Sequence, residues 1–250
     1  MDQNLFKYCL QHADNCLILG QRLAEWCGHG PVLEQDIALT NISLDQIGQA
    51  RMWYQYAAEI QGEGKSEDDL AYLRDAWDYR NVLLVEQPNG DFGNTIFRQF
   101  LYDTFSSLYF QALMHSRDER LKAIAAKSHK EALYHVKWSG DWVIRLGDGT
   151  SESHERIQKS VDALWPYLGE LTTPNAVEEE AFAEGYGVDL SVLAEQRNEK
   201  INQVLTEATL TIPTSDYAHQ GGKEGRHSEH LGYILADLQF LQRSYPGLEW

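Results

Sequence analysis

The chain has 250 residues, of which 43% are hydrophobic and 24% are charged, and its formal net charge is −17. This composition is typical of a globular protein, and the negative charge argues against nucleic acid or an anionic membrane as a partner, because phosphate contacts need basic side chains. The sequence has neither an apolar run long enough to span a membrane nor the pattern of a signal peptide, so we expect a cytoplasmic protein.

Helical periodicity predicts four long helices in the first part of the chain, at 3–27, 33–61, 92–116 and 118–146. The connection within each pair is short, and the one between the pairs is long. The long connection between the pairs comprises a polar loop at 61–69, a short helical stretch at 68–74 and a buried connector at 81–91. This layout is that of a four-helix bundle with one long crossover, as in ferritin-like folds.

Further helices are predicted in the second half of the chain, at 151–166, 176–185, 191–208 and 228–244. We therefore predict an all-α protein with one ferritin-like domain over 1–250. Its core bundle would cover about 3–146, and a helical extension would cover about 151–250.

Three cysteines, Cys9, Cys16 and Cys27, are spaced by close to whole helical turns. The spacing predicts one stripe of small buried thiols on the first helix. No Cys-x-x-Cys pair is present, so a zinc ribbon or redox motif is not supported, and a reducing compartment fits.

A ferritin-like bundle raises the question of a di-iron site, which takes one carboxylate from each of two helices and a Glu-x-x-His pair from each of the other two. On the second helix Asp45 could stand at the acid position, but Gly48 has no side chain to ligate a metal. On the fourth helix His135 could stand at the histidine position, but its partner three residues earlier is Ala132. Asp103 is the plausible acid of the third helix.

At most three of six ligands are therefore present, namely Asp45, Asp103 and His135. Three interpretations of these residues are open. They could form a degenerate metal site or a buried polar network inside the bundle, or they could lie too far apart to contact one another. We expect no catalytic, cofactor-binding or metal-binding residue in this chain.

A second group of polar residues lies near the C-terminus. His227 and His230 resemble a ligand pair, but Ser228 reads better as the N-cap of the last helix. The preceding glycine-rich stretch, 221–226, does not match a P-loop. It could hold a phosphate at the helix N-terminus or form an ordered loop that docks on a partner chain.

Several long blocks resemble the C subunits of bacterial phenylacetyl-CoA epoxidase, a multicomponent monooxygenase. They are NCLILGQRLAEWCGHGPVLEQDIALTNISLDQIGQAR (15–51), NVLLVEQPNGDFGNTIFRQ (81–99), KEALYH (130–135) and GGKEGRHSEHLG (221–232). The resemblance extends over nearly the whole chain, including its Trp250 end.

The resemblance implies a structural subunit without metal ligands, working in aerobic phenylacetate degradation. Its partner would be a catalytic A subunit that holds the iron and binds the CoA substrate. A small B subunit and a reductase with NADPH, FAD and an iron–sulfur cluster would belong to the same system. Two alternatives are an active di-iron or di-manganese oxidase that uses Asp45, Asp103 and His135, and a stand-alone acyl-CoA-binding module.

Overall fold

The computed structural model describes residues 2–215 and 217–248. Met1, Asp216, Glu249 and Trp250 lie outside the described residues, and so does the Trp250 end of the resemblance. Within the described part of the chain every regular element is helical and no strand occurs, which confirms the all-α prediction.

The chain divides into two compact units. The described residues of the first unit are 2–88 and 221–248, and those of the second are 89–215 and 217–220. Each unit contains one pair of the long helices predicted from the sequence. The assignment of a single ferritin-like domain to 1–250 stays a prediction.

The first unit is built on an antiparallel pair, α1 (Gln3–Ala24) and α2 (Leu33–Gln61). Their close approach is possible at Gly20, whose missing side chain leaves its carbonyl free to accept a hydrogen bond from Ser43 Oγ at 2.8 Å. A methyl group at this position would lie 3.1 Å from Ile47 Cγ1, which is tighter than ordinary van der Waals contact.

Four short helices complete the first unit: α3 (Glu67–Tyr72), α4 (Leu83–Glu86), and, much later in the chain, α10 (Glu229–Leu238) and α11 (Phe240–Ser244). A 3-10 turn at Ala76–Asp78 also belongs to it. The C-terminal helices α10 and α11 therefore belong to the same unit as the start of the chain.

The second unit is built on α5 (Phe92–Leu113) and α6 (Glu119–Gly147), which are also antiparallel. Nearly the whole of α5 is buried, and its ring pairs include Phe97 with Phe100. Three further helices of this unit follow in chain order: α7 (Ser151–Leu164), α8 (Ala176–Ala183) and α9 (Leu190–Glu207).

Local capping explains where many of these helices begin. A side-chain oxygen just before the helix accepts a backbone N–H of the first turn, which would otherwise lack a partner. The residues that cap in this way are Asp2, Ser66, Asp91, Asp118, Thr150, Asn175 and Asp189.

Several boundaries predicted from the sequence are wrong. The first helix ends at Ala24, so Cys27 lies outside it and is exposed, while Cys9 and Cys16 are buried as predicted. The loop predicted at 61–69 already contains the first turn of α3. The last predicted helix, 228–244, is interrupted at the buried Gln239, which separates α10 from α11.

Candidate functional site

The candidate ligand Asp103 lies fully buried on α5, at the centre of a small polar network in the second unit. Its Oδ1 accepts a hydrogen bond from Gln99 Nε2 at 2.6 Å, and its Oδ2 lies 2.8 Å from Ser139 Oγ on α6. Burial raises the pKa of Asp103 to about 6, although His135, Ser139 and Gln99 each act to lower it.

Ser139 links Asp103 to the backbone of the second candidate ligand, His135. The Ser139 hydroxyl lies 2.8 Å from His135 O as well as from Asp103 Oδ2, yet it has only one proton for these two acceptors. A protonated Asp103 resolves the shortage, since it donates to Oγ while Oγ donates to the backbone carbonyl. Burial, and not the contact with Ser139, is the cause of the raised pKa.

Two of the remaining positions of the predicted site, Gly48 and Ala132, offer no donor atom, and the third is Asp45. Gly48 lies half-buried on α2, and no atom of a neighbouring residue lies within 4 Å of the place a Cβ would take, so its lack of a side chain is not imposed by packing. Ala132 is buried on α6, one turn before His135. Asp45 is half-buried on α2, in the first unit.

The donor set does not fit a di-iron centre. In the second unit Asp103 and His135 share one network, but both oxygens of Asp103 face protein partners. Within residues 2–215 and 217–248, no three His, Cys, Asp or Glu side chains are grouped so that they could hold a metal ion. That this chain carries no metal site stays a prediction, because the donor chemistry alone does not measure metal uptake.

The sequence interpretation missed a buried ionic network in the first unit, centred on Asp14 of α1. Asp14 is fully buried and bonds to the guanidinium of Arg74, to Tyr54 Oη at 2.5 Å and to the backbone N of Arg80 at 2.8 Å. The sequence around Asp14 is typical of an ordinary helix. The one sign of the network in the sequence is a carboxylate close to two small residues, Ala13 and Cys16, which are buried in the structure.

A second buried pair joins Glu86 to His227, one of the two C-terminal histidines considered as metal ligands. His227 Nδ1 lies 2.9 Å from Glu86 Oε2, and His227 Nε2 lies 3.0 Å from Tyr79 O. Both ring nitrogens face acceptors, so the doubly protonated ring satisfies both. Burial acts to lower the pKa of His227, but the Glu86 hydrogen bond and charge raise it above the ordinary value.

The glycine-rich loop at 221–226 packs against its own chain, while its predicted role in holding a phosphate or in docking on a partner chain stays a prediction. Gly222 lies against the backbone of Asn81 and Leu83 so closely that a side chain would collide with it. Lys223 is buried, and its charge together with burial lowers the pKa of His12 to about 3, burial being the larger cause. Ser228 N donates to Glu86 Oε1 at 2.6 Å, so Ser228 begins α10 through its backbone and not through its hydroxyl.

Two comparisons with known proteins agree with this architecture. The family model described as "Phenylacetic acid catabolic protein" matches residues 1–250, and the chain belongs to this family. The chain is also 47% identical over 246 residues to the C subunit of 1,2-phenylacetyl-CoA epoxidase from Escherichia coli (strain K12), a match that covers 98% of this chain and 99% of that protein. Among the described helices, none is both long and apolar enough to cross a membrane.

Proposed function

We propose that this chain is a non-catalytic structural subunit of a phenylacetyl-CoA epoxidase, and that it pairs with the di-iron catalytic A subunit of that complex. The observation that carries the proposal is the similarity to the C subunit of the Escherichia coli enzyme along nearly the full length of both chains. Iron would then reside in the A subunit, while NADPH, FAD and an iron–sulfur cluster would reside in the reductase.

The absence of ligands at two motif positions supports the non-catalytic assignment. Gly48 and Ala132 offer no donor atom, and Asp103 is held by Gln99 and Ser139.

A stripe of exposed apolar residues on α2 supports the pairing. Leu33, Ile37, Leu44 and Ile47 are all exposed, although they follow the helical periodicity that usually marks a core face. Their spacing places them within about 80° of one another around the helix axis. Single exposed apolar residues are common, but a continuous stripe is typical of an interface that another chain covers.

The pairing is tested by co-expressing this chain with the A subunit of the Escherichia coli complex. The wild-type chain should co-purify with the A subunit, and phenylacetyl-CoA epoxidation with the reductase present should fall when this chain is left out. The double variant Ile37→Glu with Leu44→Glu should fold but lose co-purification, because charges would have to be buried at the interface.

The control is Phe182→Glu, which places one carboxylate at an exposed aromatic position of α8 in the second unit. It should co-purify like the wild type. About two irons on this chain when it is purified alone, with turnover in the absence of the A subunit, would contradict the proposal, as would full activity of the complex without this chain. The cytoplasmic location stays a prediction that fits three cysteines, Cys9, Cys16 and Cys27, none of which forms a disulfide.

A further inference from the structure

The carboxylate of Glu86 on α4 joins the connector to the start of α10 in the first unit. Its Oε2 lies 2.9 Å from His227 Nδ1 and accepts a hydrogen bond from Asn81 Nδ2 at 3.0 Å. Its Oε1 accepts from the backbone N of Ser228 at 2.6 Å. The Glu86 side chain is fully buried and that of His227 is 5% exposed, so these contacts are shielded from water. Two consecutive residues of the C-terminal segment are therefore held by one buried carboxylate.

The other nitrogen of the His227 ring faces the backbone just before the connector. Nε2 lies 3.0 Å from Tyr79 O, and Arg80 Nη1 donates to the same oxygen at 2.6 Å. A carbonyl oxygen has two lone pairs and can accept from both groups. Each ring nitrogen thus lies within hydrogen-bonding distance of an acceptor oxygen, and both hydrogen bonds form only when the ring carries two protons.

Loss of one ring proton breaks this arrangement. A neutral imidazole has one donor and one acceptor nitrogen, so one lone pair would face either Glu86 Oε2 or Tyr79 O. A buried hydrogen bond is then lost, and two lone pairs repel each other in a site of low dielectric constant. Glu86 cannot turn to relieve this contact without giving up its bonds to Asn81 and Ser228. The ring has to move instead, and because His227 directly precedes Ser228, its movement displaces the start of α10.

Charged groups from several elements surround the imidazole ring. Burial is the largest influence and lowers the pKa of the ring, but the hydrogen bond and charge of Glu86, a backbone hydrogen bond and the charge of Asp14 on α1 together raise it above its ordinary value. The cations of the surrounding elements are Arg22, Arg74, Arg80 and Lys223. The two carboxylates belong to elements other than the C-terminal segment, so the ring loses their favourable charge when it moves away.

We propose that His227 and Glu86 form a pH-controlled latch on the C-terminal segment. The protonated ring holds the loop at 221–226 and the first turn of α10 against the connector, and loss of its proton opens both. The latch lies within the first unit and does not depend on the pairing with the A subunit.

The opening is local, because the neighbouring elements have contacts of their own. The pair α1 and α2 keeps contacts such as that of Ser43 Oγ with Gly20 O at 2.8 Å, which do not include the C-terminal segment. The chain at the start of α11 also stays in place, since Gln239 Nε2 donates to Arg74 O at 3.0 Å and neither group titrates. Only the loop and the beginning of α10 are released.

Amide hydrogen exchange of the full chain, followed by mass spectrometry between about pH 6 and pH 9, tests the latch. Each rate is divided by that of an unstructured peptide at the same pH. Because the closed form binds the proton more tightly, the latch contributes its full stability below pH 6.5 and loses it as the pH rises through the raised pKa of His227. Protection of a peptide covering 222–234 should therefore fall by at least about threefold over this range, while peptides from α1 and α2 keep theirs.

The variant His227→Gln removes the titrating ring and keeps one amide donor. At about pH 6 it should lower the protection of the 222–234 peptide by at least about tenfold and abolish its pH dependence, since a charge-assisted hydrogen bond is lost. The matched control is His230→Gln, which makes the same change three residues later, at a half-buried position that is not a partner of Glu86. This control should keep the wild-type pH profile.

Constant protection of the 222–234 peptide in the wild type over this pH range would overturn the proposal. An equal loss of protection in α1 and α2 would do the same, because the pair would then act only on global unfolding. If His227→Gln does not fold, the wild-type profile and the His230→Gln profile decide the question. Loss of the pH dependence in His230→Gln would assign the effect to that residue and would also overturn the proposal.

Discussion

At the scale of single residues, the balance between burial and hydrogen bonding decides the properties of Asp103. Its carboxyl group is removed from water, which raises its pKa to about 6. Ser139 and Gln99 provide two hydrogen bonds, but Ser139 has one proton for two acceptors. The neutral acid is therefore the main form of Asp103 up to about pH 6, about two pH units higher than for a carboxyl group in water.

The variant Asp103→Asn tests this description. An asparagine can accept from Gln99 Nε2 through its oxygen and donate to Ser139 Oγ through its nitrogen, so it retains the network without a buried charge. The pKa of Asp103 rises from 3.8 in the unfolded chain to about 6 in the folded protein. The protonated Asp103 therefore contributes its full stability below pH 3.8, and this contribution is lost as the pH rises through about 6.

The expected result is that Asp103→Asn gains stability relative to the wild type between about pH 4 and pH 7, by roughly 3 kcal/mol. Urea unfolding of both proteins at several pH values measures the difference. A difference that stays constant over this range would show that Asp103 ionises in the folded protein as easily as in the unfolded one.

At the scale of elements, the glycine-rich loop and the connector form one packed unit. Gly222 lies against the backbone of Asn81 and Leu83, and the next segment is fixed by the pair Glu86 and His227. The pair of His227 and Glu86 contributes its full stability below pH 6.5, the ordinary pKa of histidine. This contribution is lost as the pH rises through the raised pKa of His227. The loop is thus held by both close packing and charge.

The substitution Gly222→Ala should destabilise the protein by about 2–4 kcal/mol, because the new methyl group meets backbone that cannot move aside cheaply. The matched control is Gly232→Ala on α10, where nothing lies within 4 Å of a Cβ. This control should be neutral or stabilise the protein by up to about 1 kcal/mol. Thermal unfolding of the two variants decides between them, and equal melting temperatures would refute the packing argument.

At the scale of the whole molecule, the two motif positions without a donor atom, Gly48 and Ala132, can be changed to ask whether the chain could then act as an oxygenase. The double variant Gly48→His with Ala132→Glu restores both side chains of the sequence motif. Gly48 has space for a Cβ atom, but Ala132 is buried, so a glutamate there should cost roughly 2–4 kcal/mol.

We expect this double variant to bind no stoichiometric iron and to show no epoxidation, since Asp103 remains held by Gln99 and Ser139. Metal analysis and a turnover assay with phenylacetyl-CoA measure the two properties. The single variant Gly48→His serves as the control for folding. Turnover by the double variant would mean that only two side chains separate this chain from an oxygenase.

The sequence alone determined the helices and the chemical identity of the positions that lack a ligand. Helical periodicity is a local property, repeated every three to four residues, and so the extents of α2 and α6 were predicted closely. The same local spacing identified Gly48 and Ala132 as motif positions without a donor. It also placed Asp103 in an apolar run, where a carboxylate needs a partner, and in the structure Asp103 lies in a buried polar network.

Only the tertiary structure decided which distant residues meet. Glu86 and His227 are 141 positions apart, and Arg74 and Asp14 are 60 apart. No local pattern links such pairs, because their contact depends on how α10 and the connector return to α1 and α2. For the same reason the periodicity of α2 could not reveal that Ile37 and Leu44 are exposed. Apolar residues that pack in the core and apolar residues on an exposed helix face have the same spacing along the chain.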